Sequence, residues 1–553
     1  MVTVLKRSLE GLFSISDTRQ FPVCLDIPKD FQHGDIATNM ALQLSGTVKK
    51  PPMEIAEKIR AFFIEKSASD EVLSGAFDAV EVARPGFLNF RLSRKVLCAI
   101  LREVHREGAD FGRVDVGRGK KVQIEFVSAN PTGPLTVAHG RQAAVGDALA
   151  RILAFTGFKV TREYYLNDEG RQMELLGASI RARYCELTGC QAAFPEDGYK
   201  GEYIYDIARK LIEQKGDTLK DSDSLKPFIA FGCEEILDTI KQDLKEFDVE
   251  FDIYSSQAAL IASGQIEEVL EQLKGRQFVY EAEGAMWFAS SRFGDDKDRV
   301  VRKSDGEYTY LASDIAYHRD KFRRGFDIIV NIWGPDHHGY INRMKAAVRA
   351  LGHSEDQIHI LIIQLAKLFK GKEMIPMSTR EGKFITLREV FEEVGVDTAR
   401  YFFMMRRRES HLDFDLELAK KHSLENPVYY IQYAHARICS IFEYQANETG
   451  ADWSVICPDD ALMLLTSSEE VELMRKIHQF VESVRTAARQ LDPCAITTYL
   501  LELAKAFHFF YTKHKVVGED ERVTAGRLFL IHCVKTVLAN GLRLLGITAP
   551  AKM

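Results

Sequence analysis

The segment Ser128-Ala129-Asn130-Pro131-Thr132-Gly133-Pro134-Leu135-Thr136-Val137-Ala138-His139-Gly140 strings small polar side chains and one histidine along a Pro/Gly turn that runs into a helical pattern. Hydroxyls, an amide, an imidazole and the free N–H groups of a helix start make a donor set suited to phosphate. The familiar phosphate loops are missing. The nearest approach to Gly-x-x-x-x-Gly-Lys-Ser/Thr, from Gly112 to Gly119, has Arg118 in place of the lysine and no hydroxyl after it, and no Gly-x-Gly-x-x-Gly follows a strand. A second polar cluster, Trp333-Gly334-Pro335-Asp336-His337-His338-Gly339, follows an apolar strand pattern. Adjacent histidines on a short loop chelate one ion poorly, whereas the end of such a strand faces a nucleotide, so we read this loop as an adenosine contact. A third, Phe507-His508-Phe509-Phe510-Tyr511-Thr512-Lys513-His514-Lys515, interleaves aromatics and bases. Most of its aromatics read as helix-bundle core, which leaves Lys513, His514 and Lys515 as the better nucleic-acid contacts. Residues 500–553 carry eight Lys/Arg and four Asp/Glu, a local balance of +4 within a chain of net charge -7. The molecule as a whole is thus not built to adhere to polyanions, and such a partner must be held by local patches.

These residues need a frame. Val122, Ile124 and Phe126 alternate as in a strand, Val145, Leu149, Ile152 and Leu153 follow at helical spacing, and Val160, Arg162, Tyr164 and Leu166 alternate again. That is a β-α-β unit of the doubly wound type, whose carboxyl edge binds nucleotides. Further strands are predicted at Ile328–Val330 and Ile358–Ile363, with residues from about 168 to 295 inserted between two halves of one parallel sheet. Ahead of it, Ile55, Ile59, Phe62 and Phe63 have the spacing of an amphipathic helix, and Val80, Val82, Leu88, Phe90 and Leu92 alternate, so residues 1–108 read as a small α+β domain. The Gly- and charge-rich stretch from Gly112 to Lys121 reads as a linker. From 421 to 553 the pattern is helical throughout, as in the stripe Val471, Met474, Ile477, Val481 and Val484, and predicts an all-α bundle. The expected architecture is a multidomain α/β protein with its parallel-sheet domain at 115–420.

Composition bounds the rest. The chain has 553 residues, 46% hydrophobic and 28% charged, enough to bury several cores and unlike a disordered chain. Its longest apolar runs, such as Ile360–Ile363, are far too short to cross a bilayer, and its start shows no secretory pattern, so a cytoplasmic location and no membrane partner are expected. Nine scattered cysteines without a Cys-x-x-Cys pair argue against a disulfide framework and against structural zinc; Cys185 and Cys190 lie nearest one another.

The Ser128–Gly140 segment, extended by Arg141-Gln142-Ala143-Ala144-Val145-Gly146-Asp147-Ala148-Leu149, resembles the first signature of class I aminoacyl-tRNA synthetases and, within them, the arginyl-tRNA synthetases. Ordered blocks extend the resemblance over nearly the whole chain: His33–Asn39, Leu166–Gln172, Phe293–Asp298, Trp333–Gly339, Asn426–Tyr430 and Leu544–Pro550. It implies an enzyme that activates arginine with ATP and Mg²⁺ and transfers it to tRNA(Arg), with tRNA needed for activation. It also implies an N-terminal domain at the tRNA elbow, a C-terminal anticodon-binding bundle and a monomer. For the arginine site it points to Glu125, Ser128, Asn130, Tyr310 and Asp314. Tyr310 and Asp314 also sit at i, i+4 on one helical face, where a planar guanidinium would find a carboxylate and an aromatic ring. For ATP it points to Gly133, Pro134, Thr136, His139, Gly140, Gly334, Asp336, His338, Met377 and Ser378, with His139, Thr136 and Ser378 catalytic.

Two signatures depart from the family pattern. His-x-Gly-His stands here as Thr136-Val137-Ala138-His139, and Lys-Met-Ser-Lys as Pro376-Met377-Ser378-Thr379. Lost lysines call for another cation near the triphosphate, for which Lys370, Lys372, Arg380 and Lys383 are candidates. Arg406-Arg407-Arg408, by composition a solvated face, is a candidate for the acceptor stem beside that loop. The altered signatures motivate a second reading, a synthetase-like RNA-binding protein with weakened amino-acid activation.

Overall fold

The computed structural model describes residues 1–15, 17, 20–28, 30–371, 373–375, 385–449, 459–518 and 520–553. Met377 and Ser378, with Lys372, Arg380 and Lys383, lie outside the described residues.

At the N-terminus the helices Val2–Phe13, Met40–Val48 and Pro52–Ala68 cover a three-stranded antiparallel sheet made by Ile36–Thr38, Phe77–Ala83 and Phe87–Leu92. Ile55, Ile59 and Phe63 face its core with Leu5, Leu9, Leu44, Leu88 and Phe90. This core stops at Phe90. The next helix, Arg94–Glu107, starts at a Ser93 cap and packs Leu97, Leu101 and Val104 into the core shared by the C-terminal bundle. There Cys533 Sγ meets the Leu101 carbonyl at 3.3 Å, and Asn540 Nδ2 donates to the Gly108 carbonyl at 2.9 Å. The sequence reading, which kept this helix with the N-terminal domain, missed that its apolar face has its partners some 430 residues away in sequence. Asp35 and Arg475 bridge the two units at 2.8 Å.

The centre is a five-stranded sheet of β1 (Lys121–Glu125), β2 (Lys159–Leu166), β3 (Ile253–Ser256), β4 (Ile328–Trp333) and β5 (Ile358–Ile362). Every pairing is parallel and the spatial order is β5-β4-β1-β2-β3, so the chain reverses direction of addition between β1 and β4. A crevice at the carboxyl ends of the strands is the geometric result. The β-α-β crossover helix, α1 (Val137–Phe155), lies between β1 and β2, and α2 (Tyr310–Arg323) leads into β4. Strand β3 comes from inside the stretch predicted as one insertion. With four residues, at the sheet edge, it has too short an alternation to be read from sequence. The insertion is therefore two: three helices (Arg171–Thr188, Glu202–Lys215, Lys226–Glu246) before β3, and after it helices Gln257–Ala262 and Gln265–Gly275 with an antiparallel sheet of Val279–Ala282, Ala285–Phe288 and Arg299–Arg302. Cys185 and Cys190 form a disulfide at the end of the first of these helices, with Cα atoms 4.4 Å apart, where the sequence reading expected no disulfide framework.

Four long helices, Pro427–Thr449, Ser468–Gln490, Cys494–Lys513 and Glu521–Leu544, form the C-terminal bundle. The predicted stripe is only partly inward: Met474, Ile477 and Val484 are buried, while Val471 and Val481 sit at its margin. Two buried arginines fasten the bundle side to the sheet. Arg400 reaches Asp147 of α1 at 2.6 Å and the carbonyls of Phe247 and Leu545 at 3.0 Å each. Arg141 donates to the carbonyls of Gln364, Ser410 and Arg407 at 2.7, 2.9 and 3.1 Å. No helix among the described residues is long and apolar enough to cross a membrane.

Candidate active site

Sheet register sets the floor of the site. Glu163 of β2, Glu125 of β1 and Asn331 of β4 occupy one row across the three central strands. Helix α2 lies over this row and presents Asp314, Tyr317, His318 and Lys321, a polar stripe on its inner face. Lys321, fully buried, donates to Glu125 Oε2 at 2.5 Å and to Asn331 Oδ1 at 3.0 Å. The Asn331 amide meets His318 Nε2 at 2.8 Å, and His318 Nδ1 meets the Asp314 carbonyl at 2.8 Å. Burial pulls the His318 imidazole down to about 3, so the ring is neutral, donates from Nδ1 and accepts at Nε2. Glu163 is held well below the usual carboxylate range, at about 2, by Arg324, Lys321 and Ser255 acting against its burial.

Asp314 is different. Its carboxylate accepts from the Tyr340 hydroxyl at 2.7 Å, and no Lys, Arg or His pairs with it among the described residues. Burial, with Glu125 adding to it, pushes this carboxyl up to about 6, against the Tyr340 hydrogen bond and the charge of Lys321. A half-buried carboxylate without its own counter-ion is costly for the fold and is suited to a cationic ligand. The phenol on Asp314 is thus Tyr340, at the end of the short helix Pro335–Tyr340, whereas Tyr310, first residue of α2, is 67% exposed and stands at the rim.

Immediately after β1 the chain takes two left-handed residues in succession, Val127 at φ 66° and Ser128 at φ 39°. A β-branched residue resists that conformation, and such strain persists where the surroundings over-determine it, commonly at functional sites. The turn aims Ser128 Oγ at Glu125 Oε1, 3.3 Å away, and starts the loop that carries Asn130. Two tyrosines then pin this loop by its carbonyls: Tyr164 donates to Ala129 and Tyr203 to Thr132, each at 2.7 Å. Asn130 Nδ2 donates to Gln172 at 2.5 Å. The Tyr203 hydroxyl would lie 3.1 Å from a Cβ on Gly133, so glycine there admits this ring. Tyr203 comes from the insertion, out of reach of any local sequence signal.

Thr136 caps α1 and His139 is its third residue. The Thr136 backbone N–H donates to His139 Nδ1 at 3.1 Å, with Thr136 Oγ1 3.2 Å from the same nitrogen. Burial takes the His139 imidazole down to about 4. The ring is therefore neutral, with Nδ1 occupied as acceptor and the proton on Nε2, a donor positioned at the helix start. Gly140 faces inward, where a Cβ would meet Leu387 at 2.7 Å, and so makes room for the chain following the second signature. Asp336 and His338 are exposed on the loop after β4, with Asp336 3.4 Å from His337. The structure thus gathers Glu125, Ser128, Asn130, Thr136, His139 and Asp314 at the crevice, with Gly334, Asp336 and His338 at the mouth of β4. Among the described residues no group of three or more His, Cys, Asp or Glu side chains could hold a metal ion.

At the far end of the molecule Arg437 lies between Tyr433 and Tyr511, 4.6 and 4.8 Å from their ring centroids, in a groove of about 830 Å³ that Lys513, His514 and Lys515 also line. Lys513 and His514 both pair with Glu469, at 2.8 and 3.2 Å, while Lys515 is exposed. Arg408 folds back onto the Gln490 and Leu491 carbonyls at 2.8 and 3.0 Å, a structural use, and Arg406 and Arg407 point outward.

A doubly wound sheet with its crevice between β1 and β4, and a Thr136-to-His139 helix start beside it, defines a class I aminoacyl-tRNA synthetase; residues 103–439 match the family model described as the class I (R) tRNA synthetase catalytic domain. Residues 2–92 match the arginyl-tRNA synthetase N-terminal domain and residues 431–553 the DALR anticodon-binding domain. The chain belongs to the arginyl-tRNA synthetases. It is 47% identical to the arginine–tRNA ligase of Desulfosudis oleivorans over 97% of this chain and 96% of that one, and 45% identical to that of Bacillus subtilis over 100% and 99%. Its fold superposes on the Thermus thermophilus arginyl-tRNA synthetase with a TM-score of 0.77, at 21% identity, covering 100% of this chain and 99% of that chain.

Proposed function

We propose that the crevice between β1 and β4 activates arginine with ATP and passes it to tRNA(Arg). The arginine carboxylate attacks the α-phosphate of the Mg²⁺–ATP substrate, a P–O bond forms, and pyrophosphate leaves. The terminal ribose hydroxyl of the tRNA then attacks the arginyl carbonyl and AMP leaves. The single observation that carries the substrate side is Asp314, a half-buried carboxylate whose missing counter-charge a guanidinium supplies with two parallel N–H donors. Glu125, Ser128 and Asn130 then meet the amino-acid end, and His139 Nε2–H with the helix start meets the phosphates. Because little covalent work falls to the protein, positioning and charge stabilisation supply the rate. The Arg437 groove is the candidate for unstacked anticodon bases. All these groups come from one chain, so we propose a monomer, acting in the cytoplasm where tRNA, ATP and free arginine meet. The relatives of matching length are named as ligases, and nothing found favours a binding protein with weakened activation.

The test is ATP–pyrophosphate exchange. Exchange is expected only when both arginine and tRNA are present, with closure of the crevice coupled to tRNA docking. Exchange at full rate without tRNA would remove that coupling, and none under any condition would remove the activity.

Asp314 also sets a pH dependence. Its free-enzyme pKa of about 6 must fall when a guanidinium binds, because the cation favours the ionised form. Affinity for arginine is therefore full about a unit above pH 6 and declines as pH drops through it. The KM for arginine is expected to rise by about fivefold from pH 6 to pH 5, while the KM for ATP changes little. A flat arginine KM over that range would place the cation elsewhere.

A further inference from the structure

Tyr165 of β2 played no part in the reading from sequence. Its backbone N–H donates to Ser128 Oγ at 3.1 Å, the same hydroxyl that reaches Glu125. Its ring stacks on Tyr317 of α2 with centroids 4.4 Å apart and planes at 27°. Held from below by the loop and from the side by the helix, the phenol has a fixed direction. Its oxygen is buried and makes no hydrogen bond to any described residue. Asn167, just past the end of β2, has a buried Oδ1 that is likewise unmet among the described residues. Buried polar groups are nearly always satisfied, and an exception calls for an explanation such as a ligand. The neighbourhood names one: burial raises this phenol's pKa and the nearby Asp314, Glu125 and Asp168 carboxyls add to it, so it remains a neutral hydroxyl with its lone pairs free to accept.

We propose that the Tyr165 hydroxyl accepts a hydrogen bond from the guanidinium of bound arginine, beside Asp314, with Tyr317 and Ser128 holding the phenol in place. This rests on the assignment of arginine to the crevice. A guanidinium carries five N–H donors in a rigid fork; Asp314 takes two on one edge, and Tyr165 takes one that Asp314 does not reach. The pairing adds selection: a lysine ammonium, a single point of charge, satisfies the carboxylate or the phenol but not both at guanidinium spacing.

Tyr165→Phe keeps the ring and its stack on Tyr317 and removes one oxygen that has no partner among the described residues. Exchange measured with tRNA present is expected to show a KM for arginine raised about tenfold, with kcat and the KM for ATP within twofold of the parent. The melting temperature without arginine should be equal or higher, and the rise produced by saturating arginine should shrink. An unchanged arginine KM in the variant, with the parent active, overturns the proposal and leaves the arginine site standing; so does an equal rise in both KM values, which marks general damage to the crevice. A parent that shows no arginine-dependent exchange overturns the arginine assignment itself, and this proposal with it.

Discussion

Asp314→Asn is expected to lower kcat/KM for arginine by about 100-fold or more, a loss of about 2.7 kcal/mol at 1.36 per decade, with most of the effect in KM. Asparagine keeps the size and the hydrogen bond from Tyr340 but removes the charge that the guanidinium answers. ATP kinetics should hardly change. The same substitution relieves a half-buried carboxylate of its desolvation cost, so the unliganded variant should melt no earlier than the parent. That pairing, substrate lost and stability kept, separates a binding role from a structural one. The dependence of arginine KM on pH should vanish in the variant as well. Asp314→Asn with ordinary arginine kinetics would move the pocket away from α2.

His139→Ala should cost about 10² to 10³ in kcat, since one placed donor to the developing charge in the transition state is worth about 2.7–4 kcal/mol. The structure adds a contrast. What fixes the ring is the backbone N–H of Thr136, which any residue other than proline supplies. Thr136→Ala removes the hydroxyl that caps α1 and lies near Nδ1, a contact worth about 0.5–1.5 kcal/mol, and should reduce kcat by about tenfold at most. The altered first signature therefore leaves the working histidine oriented. With its pKa near 4, His139 stays neutral above pH 5, and kcat should show no inflection from it between pH 5 and 8. Single-turnover adenylate formation in the two variants measures both effects. Equal losses would mean that the threonine side chain, rather than its backbone, does the positioning.

How much of this was legible in the residues depended on distance along the chain. The β1 to α1 turn is local: alternation, Pro and Gly punctuation and helical spacing all fall within thirty residues or so, and the strand, turn and helix that carry Glu125, Ser128, Thr136 and His139 could be read there, while the roles of these residues came from the family resemblance. Asp314 was named through the same resemblance, with its i, i+4 spacing from Tyr310 as support. The same face continues through Tyr317, His318 and Lys321, but a polar stripe on a helix reads as solvent-facing until a row of polar residues on another element is set against it. That row is a matter of sheet register, and register between β1 and β4, some two hundred residues apart, has no signature in one sequence. Tyr340 and Tyr203 were missed for the same reason.

The apolar interior that begins under α1 does not end where the sheet ends. It runs on without a break through Phe402, Phe403 and Phe414 into Ile477, Leu500 and Val534, and takes in Leu101 from the start of the chain, while the N-terminal core stays apart. Boundaries drawn from sequence patterns near 421 therefore cross the middle of one interior. The parallel sheet and the bundle are therefore expected to melt as one cooperative unit and the first ninety residues as another. A fragment cut to carry catalysis alone exposes half of an interface built as a core, so a dissection of this enzyme into working modules has one natural seam, just before the helix that begins at Arg94.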